Sequence, residues 1–306
     1  MTRRNTPRVT FIGFGEAGQA IASGLRETGI EQITAWDILF PDSAGAKLKS
    51  AGKQFSVRAA SSAADAVHDA DIIISAVTAA SSLEAAKSVE PHLKGNPYYL
   101  DINSVSPGRK QETARLLDGK ARYVDVAVIA PIHPARHRTP MLIAGPHAEA
   151  IMPLLEELDM KLKIVPGETG KAAAIKMIRS VMIKGLEAMV IESFTAARAY
   201  GVEGAVLASL QETFPGVDWE KQASYFFQRV IEHGRRRSEE VREVAETVRE
   251  IGLTPWSAEG TAERQAWMAD LADAGLFGTR GEPGFARSPD WRTEADRILA
   301  SVLPNR

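Results

Sequence analysis

The sequence predicts two domains, an α/β domain with a parallel sheet over residues 1–166 and an all-α domain over residues 167–306. Three observations carry this reading. Short β-branched and aromatic runs alternate with amphipathic stretches through the first half. A glycine-spaced turn, Gly13-Phe14-Gly15-Glu16-Ala17-Gly18, joins the first such run to the first helical pattern. From Lys171 to Tyr200 there is no proline, and apolar residues at 175, 178, 182, 186 and 189 advance by three or four, the spacing of one buried helical stripe.

In order, residues 9–14 read as a strand and 17–28 as a helix that Gly29 stops. A second strand (32–38), a helix (44–51) ending at Gly52, a short strand (55–58) and a helix (62–67) follow. DIIISAV at 71–77 is the continuous β-branched run of a strand covered on both faces. A helix at 82–89 and the turn Gly95-Asn96-Pro97 lead to a strand at 98–103, then a helix at 107–117. Strands at 122–129 and 141–144, a helix at 147–158 and a strand at 162–165 complete the sheet. Alternation at this spacing implies right-handed βαβ units. Beyond the long helix, which Gly201 stops, helices are expected at 204–214, 219–251 and 261–274, then a Gly/Pro-rich loop (278–289) and a short terminal helix.

A formal charge of −2 gives no field that would gather nucleic acid or an anionic membrane. Arg235-Arg236-Arg237, without interleaved aromatics, does not change that. No apolar run reaches the roughly 18 residues of a spanning helix. The start, Met1-Thr-Arg-Arg, is basic like a signal peptide, but Gly13, Gly15 and Glu16 interrupt the apolar stretch that follows. Cysteine is absent, which removes disulfides, thiolate metal sites and cysteine nucleophiles together. A cytoplasmic location is the expectation.

The glycine turn has the form and context of a Rossmann-type phosphate grip. Gly13 permits the tight turn, Gly15 lets pyrophosphate approach the backbone, and Gly18 packs helix on sheet. The N–H groups and positive dipole end of the helix face the phosphates. Asp37 stands nineteen positions beyond Gly18, where a carboxylate accepts from both adenosine ribose hydroxyls and repels a 2′-phosphate. No lysine or arginine follows until Lys47, so NAD is expected as cofactor, with NADP second.

At the domain junction, GETGKAAAIKMIRS (167–180) places two glycines before the long helix. Lys176, Ser180 and Lys184, at i, i+4 and i+8, share one helical face. Apolar neighbours Ala172, Ala173 and Ile175 remove hydration from Lys176, and Arg179 adds like-charge repulsion; both would lower its pKa toward the range of acid/base work. Spacing alone also fits a lysine that snorkels to solvent.

GFGEAG, DINSVSP (101–107), YVDVAVIAP (123–131) and GETGKAAAIKMIRS together resemble the β-hydroxyacid dehydrogenase and 6-phosphogluconate dehydrogenase superfamily. The last motif is the most specific, since it matches the family's G-x-x-G-x-[GA]-x-x-x-K pattern throughout. HGRRRSEE (233–240) resembles a poorly characterised branch with its own C-terminal helical domain, of the DUF1932 type. The resemblance implies an NAD(P)-dependent oxidoreductase that moves a hydride between nicotinamide and a hydroxyl or carbonyl carbon of a small molecule. Lys176 would be the general acid/base, with Ser180 one turn on. Val77 and Asn103 would line the cofactor cleft and Ser104 would meet substrate. Relatives place a basic residue of the helical domain near the nicotinamide, which makes His233, Arg236 and Arg237 candidates. The resemblance also implies an active site over the C-terminal strand ends and a homodimer through the helical domains. Alternatives are an imine reductase, whose members depart at the lysine position, and a non-catalytic dinucleotide sensor.

Two departures stand out. Ser180 replaces the family's usual asparagine, and Ile129-Ala130-Pro131 replaces the Ser-Gly-Gly that clasps a substrate carboxylate. Proline cannot donate and isoleucine has no polar side chain, so the usual clamp is absent. His133-Pro-Ala-Arg136-His137-Arg138 follows; without a third ligand it is no metal site, and it reads as a solvated loop or an anion-contacting one.

Overall fold

The computed structural model describes residues 6–286 and 288–303, so the basic start at residues 1–5 lies outside them. Eight strands among the described residues form one sheet in the order β3-β2-β1-β4-β5-β6-β7-β8. They are β1 (Val9–Ile12), β2 (Ile33–Trp36), β3 (Arg58–Ala59), β4 (Ile72–Ser75), β5 (Tyr98–Asp101), β6 (Arg122–Val128), β7 (Met141–Ala144) and β8 (Leu162–Ile164). Helices α1 (Glu16–Glu27), α2 (Ala46–Gln54), α3 (Ala63–Val67), α4 (Ser82–Val89), α5 (Pro107–Leu116) and α6 (Ala148–Glu157) alternate with them.

Side chains alternate across the pleat into two cores. Phe11, Ile72, Ile74, Leu100 and Val124 pack on one face, and Ile12, Ile73, Tyr99 and Tyr123 on the other. This double burial is why DIIISAV is apolar at consecutive positions. Parallel pairing runs from β3 through β6 and again from β7 to β8, while β6 and β7 are antiparallel. Their connection carries Pro131, Pro134 and Pro140 and only one 3-10 turn, so no crossover helix carries the chain back to start a parallel strand. The strand at 55–58 moves to Arg58–Ala59, because α2 extends to Gln54 and a turn with Ser56 at φ 54° follows.

That proline-broken connection exposes Pro131, His133, Pro134 and Arg138 and is anchored through its 3-10 turn. It docks on the C-terminal half of α1, far along the helix from the glycine turn. Arg136 donates to Glu27 at 2.8 Å, Arg138 to Asp159 at 2.5 Å, and His137 is fully buried. A Cβ on Gly24 would lie 2.0 Å from the His137 ring, so Gly24 makes the seat for the imidazole. Neither ring nitrogen has a hydrogen-bond partner among the described residues. Burial, with the Arg138 charge second, pushes the His137 pKa down. The unfolded chain therefore takes up the proton first, and stability falls as pH drops from the unfolded value near 6.5 toward the lower folded value. His147 and His233 are shifted the same way by partial burial. Urea midpoints should fall between pH 7 and pH 5, and His137→Leu should flatten that slope; an unchanged slope would dismiss His137 as a source.

The chain divides into compact units at Met1–Met177 and Ile178–Arg306, a division that falls inside α7 (Lys171–Tyr200). The second unit is helical, with α8 (Glu203–Thr213), α9 (Trp219–Arg249), α10 (Trp256–Asp273) and α11 (Trp291–Val302). Phe194, Phe227, Met268, Phe277 and Trp291 form its core. Asp218 and Asp290 cap α9 and α11 through side-chain oxygens that accept first-turn N–H groups. A Cβ on Gly234 would lie 2.7 Å from the Gln265 carbonyl, so this glycine lets α9 and α10 approach closely.

Of the apolar stripe of α7 that was expected to be buried, Leu186 packs against the helical core and the other four residues are exposed. Ile175, Ile178, Met182 and Met189 are 45, 59, 71 and 60% exposed. The buried positions mix small and polar residues (Ala172, Ala173, Ser180, Lys184, Glu187, Ala188) with apolar ones off that stripe (Met177, Val190, Ile191, Phe194). A helix apolar on more than one side has no single face that spacing can select.

Candidate active site

At the end of β1 the chain turns at once through Gly13, at φ 90°. A Cβ there would lie 2.4 Å from the Ala76 carbonyl oxygen and 2.6 Å from Val77 Cγ1, so only glycine fits beside the end of β4. Gly18 packs α1 on the turn, since a Cβ would lie 2.7 Å from the Gly13 carbonyl. Gly15 differs: a Cβ there meets nothing within 4 Å. It is the N-cap of α1 and brings no side-chain cap, so the amides of Glu16, Ala17 and Gly18 begin the helix beside open space. This lies where the sheet order reverses between β1 and β4, the crevice in which doubly wound sheets take ligands. The cradle fits a pyrophosphate.

Asp37 follows β2 and is anchored at both oxygens. Oδ2 accepts the Phe14 N–H at 2.8 Å, and Oδ1 accepts the Leu39 N–H at 3.0 Å. The carboxylate is thereby fixed beside the glycine turn with lone pairs to spare, which suits a ribose diol.

Val77 and Asn103 come together. The Val77 N–H donates to Asn103 Oδ1 at 2.7 Å, while Asn103 Nδ2 donates to Ser75 Oγ at 2.9 Å and Ser82 Oγ at 3.2 Å. Asn103 is buried, and both amide hydrogens are used inside the protein. It braces the ends of β4 and β5 and the start of α4. Next to it, Ser104 Oγ accepts a hydrogen bond from Lys176 Nζ at 2.5 Å. The half-buried lysine, one turn and a half into α7, thus reaches the loop that follows β5.

Sequence reasoning missed three fully buried charged residues beneath this pair, Asp101, Lys110 and Asp125. The signal was available: YYLD and YVDVAV put a carboxylate inside an otherwise apolar strand, and such a charge requires a partner. Burial pushes the Asp125 carboxyl up, and the Lys110 ammonium and the Ala173 and Gly170 amides pull it back. Burial also raises Tyr123, which keeps it a neutral donor to Asp101 Oδ2 at 2.8 Å.

In the helical unit, Ser180 and Lys184 are buried on α7, and Lys184 pairs with Glu240 at 2.6 Å. The arginine triplet of α9 divides between the surface and the interior. Arg235 pairs with Asp270 at 2.5 Å and Asp273 at 2.9 Å, Arg236 with Glu240, and Arg237 is buried against Glu187. His233 is part-exposed beside Glu232, its pKa pushed down chiefly by burial. Among the described residues no group of three or more His, Asp or Glu is placed to hold a metal ion.

These features define a dinucleotide-binding oxidoreductase. The family model described as "NADP oxidoreductase coenzyme F420-dependent" matches residues 8–103, and a domain of unknown function, DUF1932, matches residues 197–268. An uncharacterized 28.5 kDa protein of Methanothermus fervidus is 30% identical over 251 residues, 81% of this chain and 93% of that protein. The NAD-dependent L-serine dehydrogenase of Pseudomonas aeruginosa is 26% identical over 224 residues, covering 69% and 71%. Among solved structures, a conserved hypothetical protein from Sinorhizobium meliloti 1021 matches at 34% identity and TM-score 0.76 over 96% of both chains. The 3-hydroxyisobutyrate dehydrogenase of Mycobacterium tuberculosis, with L-serine, shares the fold at 16% identity and TM-score 0.71, covering 96% and 99%. So does an imine reductase from Myxococcus stipitatus with NADP+, at 19% identity and TM-score 0.52, covering 94% and 99%. The chain belongs to the β-hydroxyacid and 6-phosphogluconate dehydrogenase-like superfamily, in the branch with a C-terminal DUF1932 domain.

Proposed function

We propose that this protein is an NAD-preferring dehydrogenase or reductase acting on a hydroxyl or carbonyl carbon of a small molecule, with Lys176 as general acid/base. The observation that carries the reading is the Lys176 Nζ–Ser104 Oγ contact at 2.5 Å, in the same unit as the glycine cradle. A bound nicotinamide supplies the hydride acceptor or donor. The chain's own work is then proton handling and placement. A neutral Lys176 Nζ takes the hydroxyl proton as the carbonyl forms, and the ammonium returns it in reduction. Ser104 Oγ holds the lysine head in place and has a hydroxyl hydrogen for the substrate oxygen. Asn103 keeps Val77 and the cofactor wall rigid. Gly15 and the first turn of α1 would hold the phosphates, and Asp37 the adenosine ribose.

NAD is preferred because Asp37 repels a 2′-phosphate and its neighbour Ile38, 81% exposed, brings no cation. The substrate is less anionic or bulkier than a short hydroxyacid: Ile129 has its N–H engaged with the Pro140 carbonyl at 3.2 Å, and Pro131 has none. The assignment of Ser180, His233 and Arg236 to substrate rests on the resemblance alone. Retention of lysine at 176 favours the hydroxyl/carbonyl reading over C=N reduction. The exposed apolar face of α7 is what a second copy would cover, which supports a homodimer; a monomer by sedimentation at micromolar concentration would remove that part. A cytoplasmic location is part of the same proposal; no helix among the described residues is long and apolar enough to cross a membrane.

The test is a screen of purified protein against hydroxyacids, hydroxy-amides and aryl alcohols, followed at the nicotinamide absorbance with NAD and with NADP. Turnover with NAD, and at least roughly tenfold tighter binding of NAD than NADP (about 1.4 kcal/mol), is expected. Native preference for NADP would overturn the reading of Asp37, and cofactor binding without turnover across the panel would favour a sensor.

A further inference from the structure

Three buried charged residues behind the Ser104–Lys176 pair have no part in the chemistry above. Asp101 closes β5, Asp125 lies in β6, and Lys110 reaches toward both from α5. The Lys110 ammonium donates to the Asp101 carbonyl at 2.5 Å and the Val126 carbonyl at 3.3 Å. It pairs with Asp101 Oδ1 at 3.1 Å and stands 3.8 Å from Asp125 Oδ1. One cation therefore serves two carboxylates in a place that water does not reach.

One oxygen of each carboxylate accepts from backbone amides on one half of the candidate site, while Asp101 Oδ2 takes the Tyr123 hydroxyl. Asp101 Oδ1 accepts the N–H of Asn103 at 3.0 Å, which fixes the second residue after β5 and the start of the Ser104 loop. Asp125 Oδ2 accepts the N–H groups of Gly170 at 3.0 Å, Ala172 at 3.0 Å and Ala173 at 3.2 Å. Those are orphan donors at the N-terminus of α7, one turn before Lys176. Only an ionised carboxylate takes three such donors on one oxygen with full strength. Two buried carboxylates at this spacing would not both stay ionised without a cation between them. Lys110 pairs directly with Asp101 and offsets the charge of Asp125 from 3.8 Å without a hydrogen bond to its Oδ1, while a neutral lysine would leave two like charges facing.

We propose that Lys110 is a positioning residue, which locks the Ser104 loop and the first turn of α7 in mutual register by neutralising Asp101 and Asp125. It touches neither substrate nor cofactor. Its effect on catalysis rests on the reading of Lys176 as the proton-transfer group, whereas its effect on α7 does not.

Amide hydrogen exchange on the full-length protein with NAD present tests this without knowledge of the substrate. In Lys110→Met and in Asp125→Asn, the amides of Gly170, Ala172 and Ala173 should exchange at least tenfold faster. Amides of β1 and α1 should keep native protection, and NAD affinity should stay within threefold. The double variant should be no faster at those amides than either single, because both changes open the same lock. Native protection at 170–173, acceleration throughout the sheet, or additive effects in the double would overturn the proposal. Should Lys110→Met not fold, the Lys110→Met/Asp125→Asn protein carries the test, since it loses a negative charge along with the cation; its failure to fold also counts against the proposal. With a substrate in hand, kcat should fall tenfold or more in Lys110→Met with KM little changed. Local opening of α7 with unaltered kcat would support the lock and sink the assignment of Lys176 instead.

Discussion

Lys176→Ala should lose about two to four orders of magnitude in kcat, the range that a positioned acid/base group supplies, while NAD binds with near-native affinity. The expectation follows from where the side chain ends. Its Nζ donates to Ser104 Oγ at 2.5 Å, on the loop after β5, whereas Asp37 is engaged with the Phe14 and Leu39 amides. Alanine is the best helix former and the position is half-buried, so the variant should fold. Lys176→Arg separates proton transfer from charge. Arginine keeps a cation there but cannot give up its proton, so it should be nearly as impaired in the oxidation direction. A Lys176→Arg protein that oxidises substrate at native rate would leave Lys176 as a binding charge only. Ser104→Ala should cost less, about tenfold, because it removes a hydrogen-bond partner and not the proton acceptor.

How far the sequence leads differs sharply between parts of the molecule. GFGEAG and Asp37 were legible because backbone geometry leaves few residue choices: a turn at φ 90° against Ala76 admits only glycine, and the carboxylate has a fixed offset along the next strand. The strands were legible because burial on two faces writes a continuous apolar run. Lys176 was legible as a motif and ambiguous as a side chain, since a snorkelling lysine has the same spacing. Asp101, Lys110 and Asp125 went unnoticed because their meaning is tertiary; the cation arrives from α5, the carboxylates from separate strands, and no local pattern links them. The orientation of α7 was misread for a related reason. Spacing identifies a stripe but not what covers it, and here the stripe at 175, 178, 182 and 189 faces outward. His137 was hidden the same way, since its seat is an absent side chain, Gly24, more than a hundred residues earlier.

Gly15→Ala should abolish tight NAD binding and leave the free protein as stable as the native one. At φ −71° and ψ −161° the backbone accepts any L residue, and the added methyl meets nothing within 4 Å. The fold has no reason to notice it, so Tm should shift by no more than about 2 °C. A dinucleotide must notice it, because the methyl occupies the space through which pyrophosphate would approach the α1 amides. A loss of about a hundredfold in affinity, roughly 3 kcal/mol, is expected by titration calorimetry. Gly13→Ala provides the contrast. Its methyl would lie 2.4 Å from a backbone oxygen at a left-handed φ, so it should lower Tm as well as binding, by about 3 kcal/mol or more of stability. The two variants therefore divide the motif into a glycine the fold requires and a glycine the ligand requires. Native NAD affinity in Gly15→Ala would mean that no phosphate lies over that residue, and the identification of the turn as a dinucleotide cradle would fail with it.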